Sequence, residues 1–192
     1  MAVMKTWNLP VLLSTLAVVA ALVSGAHPVR AAEESSVPVG PVTREQVEAA
    51  APQWVQIQVE AKIDSEVARA LASVEPGAEV TVFLGTWCGD SGREVPRFWR
   101  ALDEAGAALP FQVRYIAVDA EKKQPGEAVT GNDIRYVPTF IVRREGREVG
   151  RIVEESPNGI EKDLLALLTG REKGLITTRE DLQTASPSKP SR

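Results

Sequence analysis

The 192-residue sequence is short of several things, and each shortage removes a class of function. It has one cysteine, Cys88, so no disulfide can form within the chain. It has one histidine, His27, and that lies near the N-terminus. Lysine and arginine number 22 against 26 acids, for a net charge of −4, and no basic cluster stands out. Nucleic acid is therefore not expected as a partner. The one long apolar run, Val11 to Val23, falls short of the ~20 residues that a membrane-spanning helix needs. No internal repeat is found.

What precedes residue 32 reads as an address. Lys5, the apolar run, and small residues at Ala26 or at Val29-Arg30-Ala31 make the pattern of a secretory signal peptide, residues 1–31. The expected destination is outside the cytoplasm, periplasmic or extracellular, with no membrane span in the mature chain. A cut after Ala31 removes Lys5, Arg30 and no acid, taking the net charge from −4 to −6. It also removes His27, which excludes a Ser-His-Asp triad and a histidine-containing zinc site. No metal and no cofactor is expected. Exported proteins usually use cysteines in pairs. A single one points to a reactive thiol or an intermolecular partner, with an inert buried cysteine as the alternative.

Along the rest of the chain, residues 32–42 read as a linker, 43–170 as one domain and 171–192 as a polar tail. Thr43 and Gln46 form a capping box ahead of Val47, Ala50, Ala51 and Trp54 at helical spacing, and Pro52 should end that helix early. Val55, Ile57 and Val59 alternate with polar residues and predict a half-buried strand, with a continuing helix as the alternative. Asp64 caps a helix carrying Val67, Leu71 and Val74. Val80 to Leu84 is an apolar run suited to a strand covered on both faces. A helix from Ser91 places Val95, Phe98, Trp99 and Leu102 on one side, with Pro96 inside it. Strands follow over Phe111 to Val118, Thr139 to Val142 and Glu148 to Val153, the last two joined by a turn at Glu145-Gly146. Residues 120–136 hold a short helix. A final amphipathic helix carries Ile160, Leu164, Leu167 and Leu168 and closes at Gly170. A weak helix follows Thr177. Alternating strands and helices ending in a hairpin predict an α/β fold with a mixed sheet and an extra N-terminal helix.

The chemistry concentrates at Thr86-Trp87-Cys88-Gly89-Asp90-Ser91. A cysteine at a helix start meets the free N–H groups of the first turn, which favour thiolate. Gly89 lets a backbone approach closely. Ser91 can donate a hydrogen bond to the sulfur. Asp90, as a neighbouring negative charge, opposes ionisation.

Trp87-Cys88-Gly89-Asp90-Ser91 resembles the Trp-Cys-x-x-Cys signature of thioredoxin-like proteins. Pro96 falls where that family carries a kinking proline, and Val137-Pro138-Thr139 resembles the loop whose cis-proline packs on the active-site cysteine. The resemblance covers roughly residues 55–170. It implies a thioredoxin-like three-layer α/β/α sandwich, Cys88 and Ser91 as the reacting pair of positions, and Trp87, Gly89, Asp90, Val137, Pro138 and Thr139 around the substrate. Two departures stand out. Ser91 replaces the resolving cysteine, and Val82 stands where the family has a buried acid. A complete two-cysteine cycle is therefore excluded. The resemblance implies a monothiol oxidoreductase acting on a client protein or small-molecule disulfide, released by an external thiol. The alternative is a thioredoxin-fold binding module without turnover.

Overall fold

The computed structural model describes residues 38–183. Residues 1–31, expected to be a signal peptide, and the end of the tail lie outside the described residues. The apolar run predicted to be covered on both faces is strand β2, Ala78–Leu84. It pairs in parallel with β3, Phe111–Ala117, and antiparallel with β4, Thr139–Arg144. The hairpin strand β5, Arg147–Val153, follows β4 through Glu145 and Gly146. Both turn residues have positive φ, 52° and 74°, as a two-residue turn of the I′ kind requires. The six-stranded sheet runs β1-β3-β2-β4-β5-β6, with β1 Gly40–Val42 on one edge and β6 Gly174–Thr177 on the other.

Side-chain alternation along β2 divides the core. Val80, Val82 and Leu84 point to a large cluster that also holds the buried faces of α1 (Arg44–Ala50), α2 (Gln53–Glu60), α3 (Ser65–Ala70), α4 (Gly89–Ala105) and α6 (Ile160–Leu168). Phe83 points the other way, into a smaller cluster with Val129 of α5 (Gly126–Gly131), Ile134, Val137 and Ile141, and Cys88 packs against this second cluster. These are the three expected layers, the α5 side being thin. On α4, Val95, Phe98, Trp99 and Leu102 are buried, as their spacing predicts. The Thr43–Gln46 capping box and the Asp64 cap both form. No helix of the described residues is long and apolar enough to cross a membrane.

Three expectations are corrected. Residues 55–59 form no strand; they lie in α2. Their alternation does not report burial, because Val55, Ile57 and Val59 are exposed while Trp54 and Gln58, four apart, face inward. Trp54 decides the outcome by packing on Trp99, with ring centroids 5.9 Å apart. Pro52 separates α1 from α2 and begins the second helix, where its missing N–H costs nothing. The sheet's first strand comes instead from the supposed linker: Gly40–Val42 pairs antiparallel with Tyr115–Ala117. The supposed tail contributes β6, parallel to β5, ahead of the helix expected after Thr177, which is α7, Glu180–Gln183. Gly150 permits β6 to close in, since a Cβ there would lie 2.5 Å from Gly174 O.

Candidate functional site

The thiol sits where β2 gives way to α4. Gly85 is buried beneath the Trp87 indole, and a Cβ on it would come within 2.5 Å of that ring, so a side chain there would have to displace the indole. Gly85 O accepts the Cys88 N–H at 3.0 Å. The Trp87 indole N–H donates to Val118 O at 3.0 Å, and Val118 N–H donates to Leu84 O at 2.9 Å. Trp87 is thereby tied to the end of β3, and the Lys122 ammonium stands 5.6 Å from its ring centroid. Cys88 is the N-cap residue of α4, with extended backbone and its carbonyl accepting Gly92 N–H at 2.9 Å. Its side chain makes no capping bond and is half-buried. The first-turn N–H groups and the helix dipole bear on it from the α4 side.

From the other side comes the loop before β4. The thiol donates to Val137 O at 3.2 Å. The Val137–Pro138 peptide is cis, and both residues are buried. The Thr139 hydroxyl turns back onto Tyr136 O at 2.7 Å, and Pro138 O accepts Glu154 N–H at 2.8 Å. Cys88, Val137 and Pro138 thus meet at one edge, with Thr139 opening β4 directly behind.

Two of the chosen residues behave otherwise than expected. Ser91 does not serve the sulfur: it is fully buried, and its hydroxyl accepts the Gly85 N–H at 3.2 Å. The Gly85 amide, inside the core, needs an acceptor, and the Ser91 oxygen supplies it. Asp90 is not a bare charge beside the thiol either, since Arg93 Nη1 lies 2.9 Å from its carboxylate. Arg93 also reaches Glu94, a buried carboxyl that takes Arg97 Nη1 at 3.0 Å. Burial pushes the Glu94 carboxyl upward, and the two guanidiniums pull against that. Gly89 is exposed with open space around it, so no internal contact demands glycine there.

The sequence reading missed one bank of the site. A groove of about 430 Å³ is lined by Trp87 and Cys88 together with residues of α2 (Gln53, Trp54, Ile57) and the start of α4 (Gly89, Gly92, Arg93). Gly92 allows this packing; a Cβ there would lie 3.0 Å from Trp54 Nε1. Reading residues 55–59 as a strand hid α2 as a wall. The available signal was the Trp54–Gln58 spacing of four. Among the described residues, no cluster of three or more His, Cys, Asp or Glu could hold a metal ion.

The family model described as Thioredoxin matches residues 42–169. A thioredoxin-like protein of Acanthamoeba polyphaga mimivirus is 27% identical over 101 residues, 53% of this chain and 70% of that protein. Among solved structures, mitochondrial thioredoxin 3 of Saccharomyces cerevisiae in its oxidised form is 21% identical, covering 56% of this chain and 95% of its own, with a TM-score of 0.35. A Pseudomonas aeruginosa protein of unknown function is 15% identical, covering 66% and 86%, with a TM-score of 0.48.

Proposed function

The chain belongs to the thioredoxin family, and we propose that it carries out thiol–disulfide exchange with one thiol, in a compartment outside the cytoplasm. The observation that carries this reading is the placement of Cys88. Cys88 occupies the N-cap position of the 17-residue α4, and its half-buried sulfur faces the Val137 carbonyl. In the first step the Cys88 thiolate attacks one sulfur of a disulfide. A Cys88–sulfur bond forms, the old S–S bond breaks, and the other sulfur leaves as thiolate with the electron pair. In a two-cysteine protein the second thiol would then expel the bound sulfur. Here position 91 carries an oxygen that is engaged by Gly85 N–H, so an external thiol must attack the mixed disulfide and regenerate Cys88.

The test is mass spectrometry after incubation with oxidised glutathione. One glutathione should add at Cys88, and a reducing thiol should remove it. Absence of the adduct, with Cys88 alkylating no faster than a free cysteine peptide, would reject the reading. Export is tested by the N-terminal sequence of the mature protein, expected to begin after Ala26 or Ala31.

A second reading has one observation in its favour. Trp87 (39% exposed) and Ile57 (37% exposed) present apolar surface along the groove, as a binding module for an extended segment would. Under that reading Cys88→Ala leaves client affinity unchanged.

A further inference from the structure

The family match ends at residue 169, yet the chain goes on and returns to the loop that faces the thiol. After β6 the Thr177 hydroxyl donates to Val153 O at 2.9 Å and accepts Arg179 N–H at 3.2 Å. The Gln183 amide closes the turn on Thr177 O at 2.7 Å. This aims Arg179 at the end of β5. Its guanidinium carbon lies 3.8 Å from the centroid of the Tyr136 ring. Its Nη1 donates to Glu154 Oε2 at 2.9 Å. Asp181 accepts both Arg179 Nε and the Tyr136 hydroxyl, each at 2.9 Å.

Tyr136 and Glu154 are the residues that bracket the site loop. Tyr136 precedes Val137, whose carbonyl faces the sulfur, and Glu154 N–H holds Pro138 O. One guanidinium therefore spans both supports of the backbone that lies beside Cys88. We propose that Arg179 is a positioning residue: through Tyr136 and Glu154 it fixes the Val137–Thr139 backbone as the edge against which an extended polypeptide disulfide aligns, so that the C-terminal segment belongs to the client-binding module. This rests on the exchange reading above. The contacts lie outside the hydrophobic core, on side chains that keep part of their surface in water, so each is modest and their loss leaves the fold standing. Alignment of reacting groups is far more sensitive than stability to a small displacement.

The experiment uses two disulfides on the whole protein, whose single thiol makes the signal unambiguous. The small probe is dithiobis(nitrobenzoate). The extended probe is an unstructured decapeptide whose one cysteine carries thionitrobenzoate. In both, Cys88 takes the attacked sulfur and thionitrobenzoate leaves as the coloured thiolate. Arg179→Ala should react about tenfold more slowly with the peptide, within the range that misplacement causes, and within about twofold of wild type with the small probe. Arg179→Lys should fall between, because it keeps a charge for Glu154 and loses the flat stack on Tyr136. Unchanged peptide reactivity in Arg179→Ala, or an equal fall with both probes, overturns the positioning role while leaving exchange intact. A wild-type protein that reacts with neither probe overturns both.

Discussion

Removing the hydroxyl at Ser91 separates two accounts of what that residue does. If it served the sulfur, Ser91→Ala would change thiol reactivity and spare the fold. The structure has it accepting Gly85 N–H at 3.2 Å inside the core, with the thiol bonded to Val137 O instead. Alanine there leaves a buried amide without a partner, at a cost of about 1–3 kcal/mol. That is a sizeable part of the 5–15 kcal/mol that holds a typical domain together. At roughly 4 °C per kcal/mol, the melting temperature should fall by about 4–12 °C. The rate of Cys88 alkylation by iodoacetamide at neutral pH, measured well below the transition, should stay within about twofold of wild type, since the thiol bonds Val137 O and the Ser91 oxygen is turned to Gly85 N–H. Thermal melts and pseudo-first-order alkylation on the same preparation decide the matter. A tenfold change in alkylation with an unmoved melting curve would refute the reasoning and return Ser91 to the sulfur.

Two further perturbations test other parts of the account. Burial raises the Glu94 carboxyl above its ordinary 4.5, so the folded state holds that proton more tightly than the unfolded chain. The resulting stabilisation is complete below pH 4.5 and is lost as pH rises through the folded value. Glu94→Gln, which does not titrate, should therefore show a smaller loss of stability than wild type between about pH 4 and pH 7 in urea melts, and parallel curves would contradict this. Gly150→Ala would put a Cβ 2.5 Å from Gly174 O and 2.7 Å from Leu167, forcing β6 away from β5. Overpacking of this kind costs about 1–3 kcal/mol. Hydrogen exchange should show β6 amides losing protection while β2 keeps its own; uniform protection across both strands would show that β6 tolerates the change.

The amino-acid order alone determined those features in which neighbours in sequence are also the interacting groups. The Thr43–Gln46 box, the Asp64 cap, the Glu145-Gly146 turn and the apolar face of α4 all lie within one or two helical turns or one hairpin of their partners. The lone Cys88 at a strand-to-helix junction was legible for the same reason, and so was the family signature around it. What the chain order could not decide was anything settled by a remote partner. The three residues of β1 and the four of β6 are too short to carry a period, and they become strands only because β3 and β5 offer open edges. Residues 55–59 alternate like a strand, yet they lie in a helix whose inward face buries Trp54 against Trp99, 45 residues away in sequence. The direction of the Ser91 hydroxyl was likewise a tertiary decision. Gly85 lies six residues before Ser91, and only the fold brings its buried amide onto the hydroxyl oxygen and the thiol onto Val137 O.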